Sequence, residues 1–480
     1  MSAPVRTVVP GLWTIVGFLI CVELASGVLQ GYYTPIFPQI ARHLSIHEAN
    51  VNWFEAAQLV VSALVVPVLA RLGDVIGHRQ VLVLSTLVTA LASWAVAFSP
   101  NFTTFLIAWA VQGFYVVWLP LEISIVHRRT AASGEQALLT RRAAAFLVAG
   151  LETGVIVGAL TAGALVEHVG MTTVLMIPAV AVTLCLGAVW FGVAPNPPED
   201  AGGHLDWAGF AWVSLAIGVL MGGLILVRLD GPGSVRPWLV IVAGLLLFVP
   251  FARHELRTRQ PLIDVRLLST PGQWPVQLTA FLFGMSVLGA QIPLSTYAQT
   301  DRSVGYGLGA SSSFVSTLIG VYVVALVIGA LLLPSAARRL GPRGALIAAC
   351  GLVALGYGLW IPLHDSVVQA LVNMGIAGIG SGALVAALPA AAAAGAPPER
   401  TGFATGMTNT TKTIGGAIAS SIFAIALSAT GSIDTEGHIS APLQGYLVVW
   451  AVCALSAVAA AVALCLVPAE TFRDQLTSQD

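Results

Sequence analysis

Long apolar runs separated by short polar connections dominate the hydropathy pattern of this chain. A window of about 20 residues, the length that a helix needs to cross a bilayer, indicates fourteen membrane-spanning helices. Their predicted limits are 11–36, 50–70, 80–98, 102–126, 143–166, 170–194, 207–227, 237–252, 273–299, 314–335, 344–363, 366–390, 403–429 and 442–467. The fold class that follows is an all-α membrane protein.

The composition agrees with this pattern. Of the 480 residues, 57% are hydrophobic and only 9% are charged, whereas a soluble domain carries roughly a quarter of charged residues. The net charge of −1 leaves no basic footprint for a nucleic-acid partner. The five cysteines lie within apolar runs, where they cannot form a loop disulfide framework or a spaced zinc site.

The arginines orient the predicted spans. With the amino terminus inside, sixteen of the basic residues fall at the inner face, while Arg42, Arg228, Arg236 and Arg302 fall outside. Positive residues concentrate on the cytoplasmic side of membrane proteins. We therefore expect a multi-pass protein of the cell membrane with both termini cytoplasmic and an even number of spans.

A faint internal repeat divides the chain. The tripeptide Arg71-Leu72-Gly73 recurs as Arg339-Leu340-Gly341, and Leu340 follows Leu72 by 268 residues. The spacing fits two six-helix halves around an inserted helix pair: residues 1–194, a linker with the two inserted helices over 195–272, and residues 273–480. The linker is marked by turn-forming residues, namely Pro195, Pro197, Pro198, Gly202 and Gly203.

These motifs resemble a known family. The segment from Arg71 to Leu82 is similar to the signature loop between the second and third spans of the major facilitator superfamily, through Gly73, Asp74, Gly77, His78 and Arg79. Residues 260–268 and 402–416 are similar to the fourteen-span drug:proton antiporter branch. The resemblance implies the major facilitator fold with two inserted transmembrane helices. It also implies proton-coupled export by alternating access.

The signature loop is a candidate conformational latch. Asp74 can meet the positive end of a neighbouring helix, and Arg71 and Arg79 can reach carboxylates or helix carboxyl ends. By analogy with the family, Arg71, Asp74, Gly77 and Arg79 would stabilise the outward-facing state. The alternative is that the loop serves only as a positive anchor at the inner face.

The chain departs from the branch at three positions. Trp109 stands where the fourth-span motif carries an arginine, so the proton-relay role of that arginine is not carried over. The fifth span has Gly158 and Gly163 but lacks the glycine-proline pair, and Leu29 replaces the usual first-span aspartate.

Five charged residues lie inside the predicted spans. They are Lys412, the only lysine of the chain, and the carboxylates Glu23, Glu55, Glu122 and Glu152. Such residues are functional-site candidates because a charge in a membrane is costly. The four carboxylates are candidates for proton coupling, since removal from water favours proton binding and release.

The depth of these charges leaves alternatives open. Glu23, Glu152 and Lys412 lie near the middle of the membrane, whereas Glu55 and Glu122 lie close enough to span ends to reach the interface. Glu23 or Glu152 could also pair with Lys412 only to hold the halves together.

Polar and aromatic side chains outline a candidate substrate cavity. Glu23, Ser26, Gln30 and Thr34 recur at helical spacing on one face of the first span. The cavity candidates are Gln30, Tyr33, Gln112, Tyr115, Trp118, Gln291, Tyr297, Asn409 and Lys412. In span five, Gly150, Gly154 and Gly158 form a small-residue face for close helix packing. Such a lining favours a bulky amphiphile over an inorganic anion or a sugar phosphate.

The remaining motifs exclude other classes of protein. No phosphate-binding loop precedes the single lysine, and the nine histidines fall in loops or at span ends. We therefore expect no enzyme and no cofactor. The predicted function is proton-coupled efflux of amphiphilic drugs or hydrophobic natural products by a monomer. The alternative is a specific metabolite or lipid carrier of the same superfamily.

Overall fold

The computed structural model describes residues 12–130, 136–195, 204–397, 400–428 and 441–466. Across these ranges the chain forms helices joined by turns, with no β-strand. Thirteen helical segments are long and apolar enough to cross a membrane. The predicted linker residues Pro197, Pro198, Gly202 and Gly203 and both chain termini lie outside the described ranges.

Eight helices build the amino-terminal half. They are α1 (Leu12–Gly31), α2 (Phe37–His43), α3 (Asn52–Ile76), α4 (His78–Ala97), α5 (Phe102–Gln112), α6 (Trp118–Arg129), α7 (Gln136–Leu165) and α8 (Met171–Gly192). Short 3₁₀ turns follow α1, α2 and α5 at Thr34–Ile36, Glu48–Val51 and Gly113–Val117. One apolar core joins these helices, from Val16 on α1 to Val193 after α8.

The inserted pair consists of two antiparallel helices, α9 (Trp207–Asp230) and α10 (Val235–Glu255), followed by the short helix α11 (Val265–Leu268). The long helices pack closely because Gly223 lies against Ile241 and Gly244 lies against Leu220. Much of the outer surface of α10 is exposed and apolar, as expected for a helix that contacts lipid.

Six helices build the carboxy-terminal half. They are α12 (Trp274–Val287), α13 (Gln291–Gln299), α14 (Ser312–Leu359), α15 (Val367–Ala394), α16 (Thr401–Leu427) and α17 (Leu443–Leu466). Aromatic side chains fill part of its core, where the rings of Trp360 and Trp450 stack 4.9 Å apart and Tyr297 meets Trp450 edge-on.

Helix α14 is 48 residues long, which at 1.5 Å per residue would extend about 72 Å if straight. The backbone leaves the helical conformation at Gly341, with φ 74° and ψ 163°. On α15, Gly378 packs against Ala325 while the nearby Gly380 packs against Ala349. Both arms of α14 therefore lie beside the same turn of α15, and the chain reverses at Gly341. The predicted count of fourteen spans is not confirmed, since the two arms form one continuous segment among the thirteen.

The predicted loop from Arg71 to Arg79 is mostly helical. Helix α3 continues to Ile76, and α4 begins at His78. Only Gly77 breaks the helix, with φ 106°, a conformation that residues with a side chain rarely adopt. The predicted end of the second span at residue 70 was therefore too early.

The two halves repeat this turn in a register different from the predicted one. Arg79 donates to the carbonyl oxygens of Val193 (2.5 Å) and Trp190 (2.8 Å) at the carboxyl end of α8. Arg343 likewise donates to the carbonyl oxygens of Leu464 (2.8 Å) and Cys465 at the end of α17. Arg343 follows Arg79 by 264 residues, as Gly341 follows Gly77. The predicted pairing of Leu72 with Leu340 is thus displaced by four residues.

The helical bundle has two ends, which we call the arginine-rich end and the far end. The arginine-rich end holds the turns at Gly77 and Gly341 and the connection from α10 to α12. The far end is the opposite one, with α2 and the 3₁₀ turn Arg302–Val304.

Candidate functional site

The polar stripe of α1 runs from the interior of the amino-terminal half to the contact between the halves. Glu23 and Ser26 are buried, and Gln30 donates a 3.3 Å hydrogen bond to Ser26. Thr34 donates a 3.2 Å hydrogen bond to the Oε1 of Gln291 on α13. The stripe therefore connects a buried carboxylate to the other half.

Glu23 on α1 and Glu122 on α6 interact directly with each other. Both side chains are completely buried, so the expectation that Glu122 reaches the interface is wrong. None of their four carboxylate oxygens meets a hydrogen-bond donor among the described residues. Two charged carboxylates in such surroundings would repel each other strongly, and a shared proton removes that repulsion.

Glu152 on α7 and Lys412 on α16 bring opposite charges from the two halves toward each other. Both side chains are partly accessible although they lie far from the helix ends. Their interaction acts over a distance, since none of the ion pairs found across the described ranges joins them. Asn409, three residues before Lys412 on α16, is also partly accessible. These three side chains line the space between the halves.

Glu55 lies in the first turn of α3, nearer the far end. It is partly accessible, and its charge acts on Tyr115 in the 3₁₀ turn after α5. The charge of Glu23 acts on the same Tyr115 hydroxyl, so Tyr115 lies within electrostatic reach of both carboxylates.

Several predicted cavity residues lie in the cores of the two halves. Gln112 is buried and donates to the hydroxyl groups of Tyr33 (3.1 Å) and Ser93 (2.9 Å). Trp118 is fully buried and donates to Ser85. Tyr297 is fully buried among aromatic rings and donates to the His364 carbonyl oxygen. These buried side chains stabilise the helix packing.

Trp109 occupies the place where the fourth-span motif of the resembling branch has an arginine. Its ring is buried and contacts Tyr33 at 4.4 Å, Phe105 at 5.6 Å and Phe37 at 5.8 Å between centroids. An aromatic cluster therefore fills the position, and a cation there would lose its solvation.

The small-residue face of α7 packs against α1. Gly154 lies against Leu24 and Gly27, and Gly158 lies against Val28, so that the two backbones approach closely. This close packing was predicted from the glycine spacing. Glu152 lies outside this contact, as its partial accessibility requires.

The candidate latch makes its contacts at the arginine-rich end. Arg71 and Asp74 form a 3.6 Å ion pair, and His78 lies 3.4 Å from the Asp74 carboxylate. Arg71 also donates a 3.3 Å hydrogen bond to Gln260 in the connection after α10. Of these contacts, the one between Arg71 and Gln260 joins the amino-terminal half to the inserted segment.

A hydrogen-bond network at the far end was missing from the predicted site. Gln39 on α2 donates to Gln299 on α13 and to Ser312 on α14, both at 2.8 Å. Gln299 donates to the Pro35 carbonyl oxygen at 2.9 Å. We name Gln39, Gln299 and Ser312 the far-end network. The signal in the sequence was Gln39, a polar residue next to Pro38 in an otherwise apolar segment.

No group of three histidine, cysteine, aspartate or glutamate residues in the described part of the chain could hold a metal ion. The accessible side chains of Glu152, Lys412 and Asn409 can bind protons and polar or charged groups.

Most of the chain is similar to known proteins. The model of the Major Facilitator Superfamily matches residues 19–420 and, in a second match, residues 281–478. The tetracenomycin C resistance and export protein of Streptomyces glaucescens is 24% identical over 395 residues, which cover 81% of this chain and 71% of that protein. The drug efflux pump JefA of Mycobacterium tuberculosis is 24% identical over 386 residues, with 79% and 73% covered.

Other similar proteins have a different named substrate. The uridine/deoxyuridine transporter of Lactococcus lactis is 24% identical over 314 residues, and this chain spans only 64% of its length, with 64% of this chain covered. Among solved structures, the nucleoside transporter NupG is similar with a TM-score of 0.61 at 12% identity, covering 96% of this chain and 99% of that one. An auto-inhibited peptide transporter of the POT family has a TM-score of 0.66 at 14% identity, with 94% and 96% covered. These two likenesses concern the fold.

Proposed function

Because the chain belongs to the major facilitator superfamily, we propose that it exports amphiphilic drugs or hydrophobic natural products in exchange for protons. The family and the spans make it a multi-pass membrane transport protein and not an enzyme. The direction of transport is proposed from the export protein and the efflux pump, which are similar to it over most of its length.

The Glu23–Glu122 pair carries the proposal of proton coupling. Its four oxygens lack donors among the described side chains, so a proton is the simplest partner that the pair can take. Release of that proton leaves mutual repulsion between α1 and α6. Because the 3₁₀ turn that follows α1 reaches the other half through Thr34 and Gln291, the charge of the pair can influence how the halves fit together.

The space between the halves supports an amphiphilic substrate. Lys412, Glu152 and Asn409 supply one cation, one anion and one amide. A multiply charged anion would need several converging cations, and one lysine does not provide them. A bulky molecule with a few polar groups fits this set better.

A specific metabolite carrier is the second candidate. The similarity to a uridine/deoxyuridine transporter favours it. The separated charges of Glu152 and Lys412 could bind polar groups of a metabolite as readily as those of a drug. The two candidates differ in which molecules are moved.

The proposed arrangement in the cell membrane has fourteen crossings, with both termini in the cytoplasm. The reversal of α14 at Gly341 supports two crossings by that helix. Residues 1–194 and 273–480 would form the two halves, and residues 195–272 the linker and inserted pair. We propose that a monomer is the transporting unit, since one chain contains both halves.

The contacts between the halves support a cycle of alternating access. Direct hydrogen bonds join the two halves at the far end. The space between the halves would therefore open toward the arginine-rich end. We propose that this end faces the cytoplasm, because positive residues concentrate on that side of membrane proteins. In the opposite state, Arg71, Asp74, Gly77 and Arg79 would form the latch that closes that end.

Reconstitution into proteoliposomes tests the function. An imposed pH gradient should drive ethidium, a lipophilic cation, across the wild-type membrane, and the Glu23→Gln and Glu122→Gln variants should lose this dependence. Both variants should still exchange ethidium down its own gradient, because glutamine keeps the shape of the side chain while removing the titratable group.

Glu167→Gln is the matched control, since Glu167 is an exposed carboxylate after α7, and its pH-driven transport should equal that of the wild type. Full pH-driven transport in both variants of the pair would refute coupling at Glu23 and Glu122. Transport of radiolabelled uridine without transport of ethidium would establish the second candidate.

A further inference from the structure

The inserted helices α9 and α10 and the segment 256–264 that follows them contact both halves. We propose that this unit is a brace that stabilises the conformation closed at the far end. The Asp264–Arg400 ion pair is its attachment to the carboxy-terminal half.

Polar contacts between the start of α9, the end of α10 and the segment after α10 hold the brace together. Asp206, before α9, accepts a 2.8 Å hydrogen bond from the Gly209 amide and lies 3.0 Å from the Nε2 of His254 on α10. Glu255 is buried and accepts a 3.2 Å hydrogen bond from the Ile263 amide. These contacts fix the segment after α10 to the helix pair, so that the unit can transmit movement from one end to the other.

At the far end the brace is attached to the amino-terminal half. Arg228, in the last turn of α9, donates to the Oδ1 of Asn50, and its guanidinium lies 5.9 Å from the ring centroid of Trp53. Burial and the charge of Arg228 lower the pKa of the neighbouring His47. This imidazole therefore remains neutral at pH 7, and its Nδ1 accepts a hydrogen bond from the Ala49 amide.

At the arginine-rich end the brace is attached to the carboxy-terminal half. Asp264 forms an ion pair with Arg400, next to the start of α16. The same carboxylate accepts a 3.1 Å hydrogen bond from the Leu267 amide and thereby caps α11. Arg71 adds a contact from the amino-terminal half to Gln260. The segment 256–264 thus lies between the end of α3 and the start of α16.

Apolar contacts place the brace along the seam between α3 and α16. Leu262 and Ile263 are buried in one cluster with Met407 of α16, and Leu64 and Val68 of α3 pack against it. Burial of these apolar side chains stabilises the contact, but apolar contacts alone do not fix how the brace is oriented along the seam. The polar attachments at the two ends fix that orientation.

The positions of these attachments link the brace to the movement of the halves. Arg228 and Asp264 are attached to opposite halves at opposite ends of the seam. Tilting one half relative to the other changes the separation of Asn50 and Arg400, so the ion pair must break or the segment must deform. The ion pair therefore favours the conformation in which the far-end network is closed.

Hydrogen–deuterium exchange on the full-length protein in nanodiscs, without substrate or pH gradient, tests the brace. Asp264→Asn keeps an oxygen to cap α11 and removes the charge, and Arg400→Gln removes the opposite charge. Each should raise exchange in segments 34–43 and 291–304 by about two- to fivefold, the range expected for a partly exposed ion pair. The double variant should show no more than the larger single effect.

Two controls separate the ion pair from general damage. Asp230→Asn removes the 3.5 Å pair with Arg236 within the brace itself and should leave exchange unchanged. Arg400→Lys keeps the charge and should remain near wild type. Unchanged exchange in both single variants, additive effects in the double variant, or an equal rise in the core helix α17 would each overturn the proposal. The exchange experiment does not measure transport. Its outcome therefore tests the brace independently of the proposed export function.

Discussion

The surroundings of a single charged residue depend on how the neighbouring helices pack around it. Glu122 lies four residues from the predicted inner end of its span, where a long side chain could reach water. In the folded protein it is completely buried against Glu23. The packing of α6 on α1, and not the depth of Glu122 in the membrane, decides its surroundings.

Lys412 supports a prediction at the same scale. Lys412→Arg should keep transport of the substrate within about twofold of wild type, because it preserves the charge facing Glu152. Lys412→Met should lower the transport rate by about tenfold or more, equivalent to about 1.4 kcal/mol, because Glu152 loses the opposite charge. Initial rates in proteoliposomes measure both effects.

The control for this prediction is Thr413→Val on the same helix. Thr413 is buried and donates only to the Asn409 carbonyl oxygen of its own helix, so transport should change little. Lys412→Met should also lower the stability of the protein, because Glu152 keeps a charge without its counterpart. Adding Glu152→Gln to Lys412→Met should restore that stability, since no uncompensated charge would remain. If the double variant is less stable than Lys412→Met, the two residues do not compensate each other.

The sequence identified these charged residues and offered Glu152 as one possible partner of Lys412, but it did not predict the contact of Glu23 with Glu122. A charged residue within an apolar run can be recognised from the sequence alone, and all five candidates were identified in this way. Which carboxylates face each other depends on the packing of α1, α6, α7 and α16. The far-end network was overlooked because Gln39 and Ser312 are neutral residues near span ends, where polar side chains are common.

At the scale of helices, the glycine face of α7 gives a prediction about stability. A Cβ at Gly154 would lie 2.3 Å from the Leu24 carbonyl oxygen. Gly154→Ala should therefore separate α1 from α7 and destabilise the fold by about 1–3 kcal/mol. Thermal unfolding in detergent, monitored as the loss of monodisperse protein, measures the change.

Gly187→Ala is the matched comparison for Gly154→Ala. Gly187 lies within α8 with no atom near the position of an added Cβ, and alanine favours a helix by up to about 1 kcal/mol. This variant should be as stable as wild type or slightly more so. An equal loss of stability in the two variants would show that close packing of α1 and α7 is unimportant.

Helix boundaries show where prediction from the sequence reached its limit. Apolar runs located each of the thirteen segments long enough to cross a membrane. The end of α3, however, lies six residues beyond the predicted one, because polar residues continue the helix until Gly77 breaks it. The repeat was aligned on Arg-Leu-Gly identity. The structure aligns it on a glycine with positive φ and an arginine that caps a helix, features that depend on backbone conformation and on distant carbonyl groups.

At the scale of the whole molecule, neutral and charged contacts are distributed differently. Gln39, Gln299 and Ser312 join the halves at the far end through uncharged hydrogen bonds. At the arginine-rich end, ion pairs of Asp74 and Asp264 hold Arg71 and Arg400. Changes in salt concentration should therefore affect the charged contacts more than the far-end network.

The reversal of α14 at Gly341 predicts a membrane topology for this helix. If the reversal at Gly341 corresponds to two crossings, residues 303 and 365 lie on one side and residue 339 lies on the other. Ser303→Cys and Asp365→Cys should react with an impermeant maleimide in intact cells, and Arg339→Cys should react only after permeabilisation. The background needs only Cys21 and Cys465 replaced, because the other three cysteines are buried. Labelling of 303 and 365 from opposite sides would mean that α14 crosses once, and the fourteen-span arrangement would have to be abandoned.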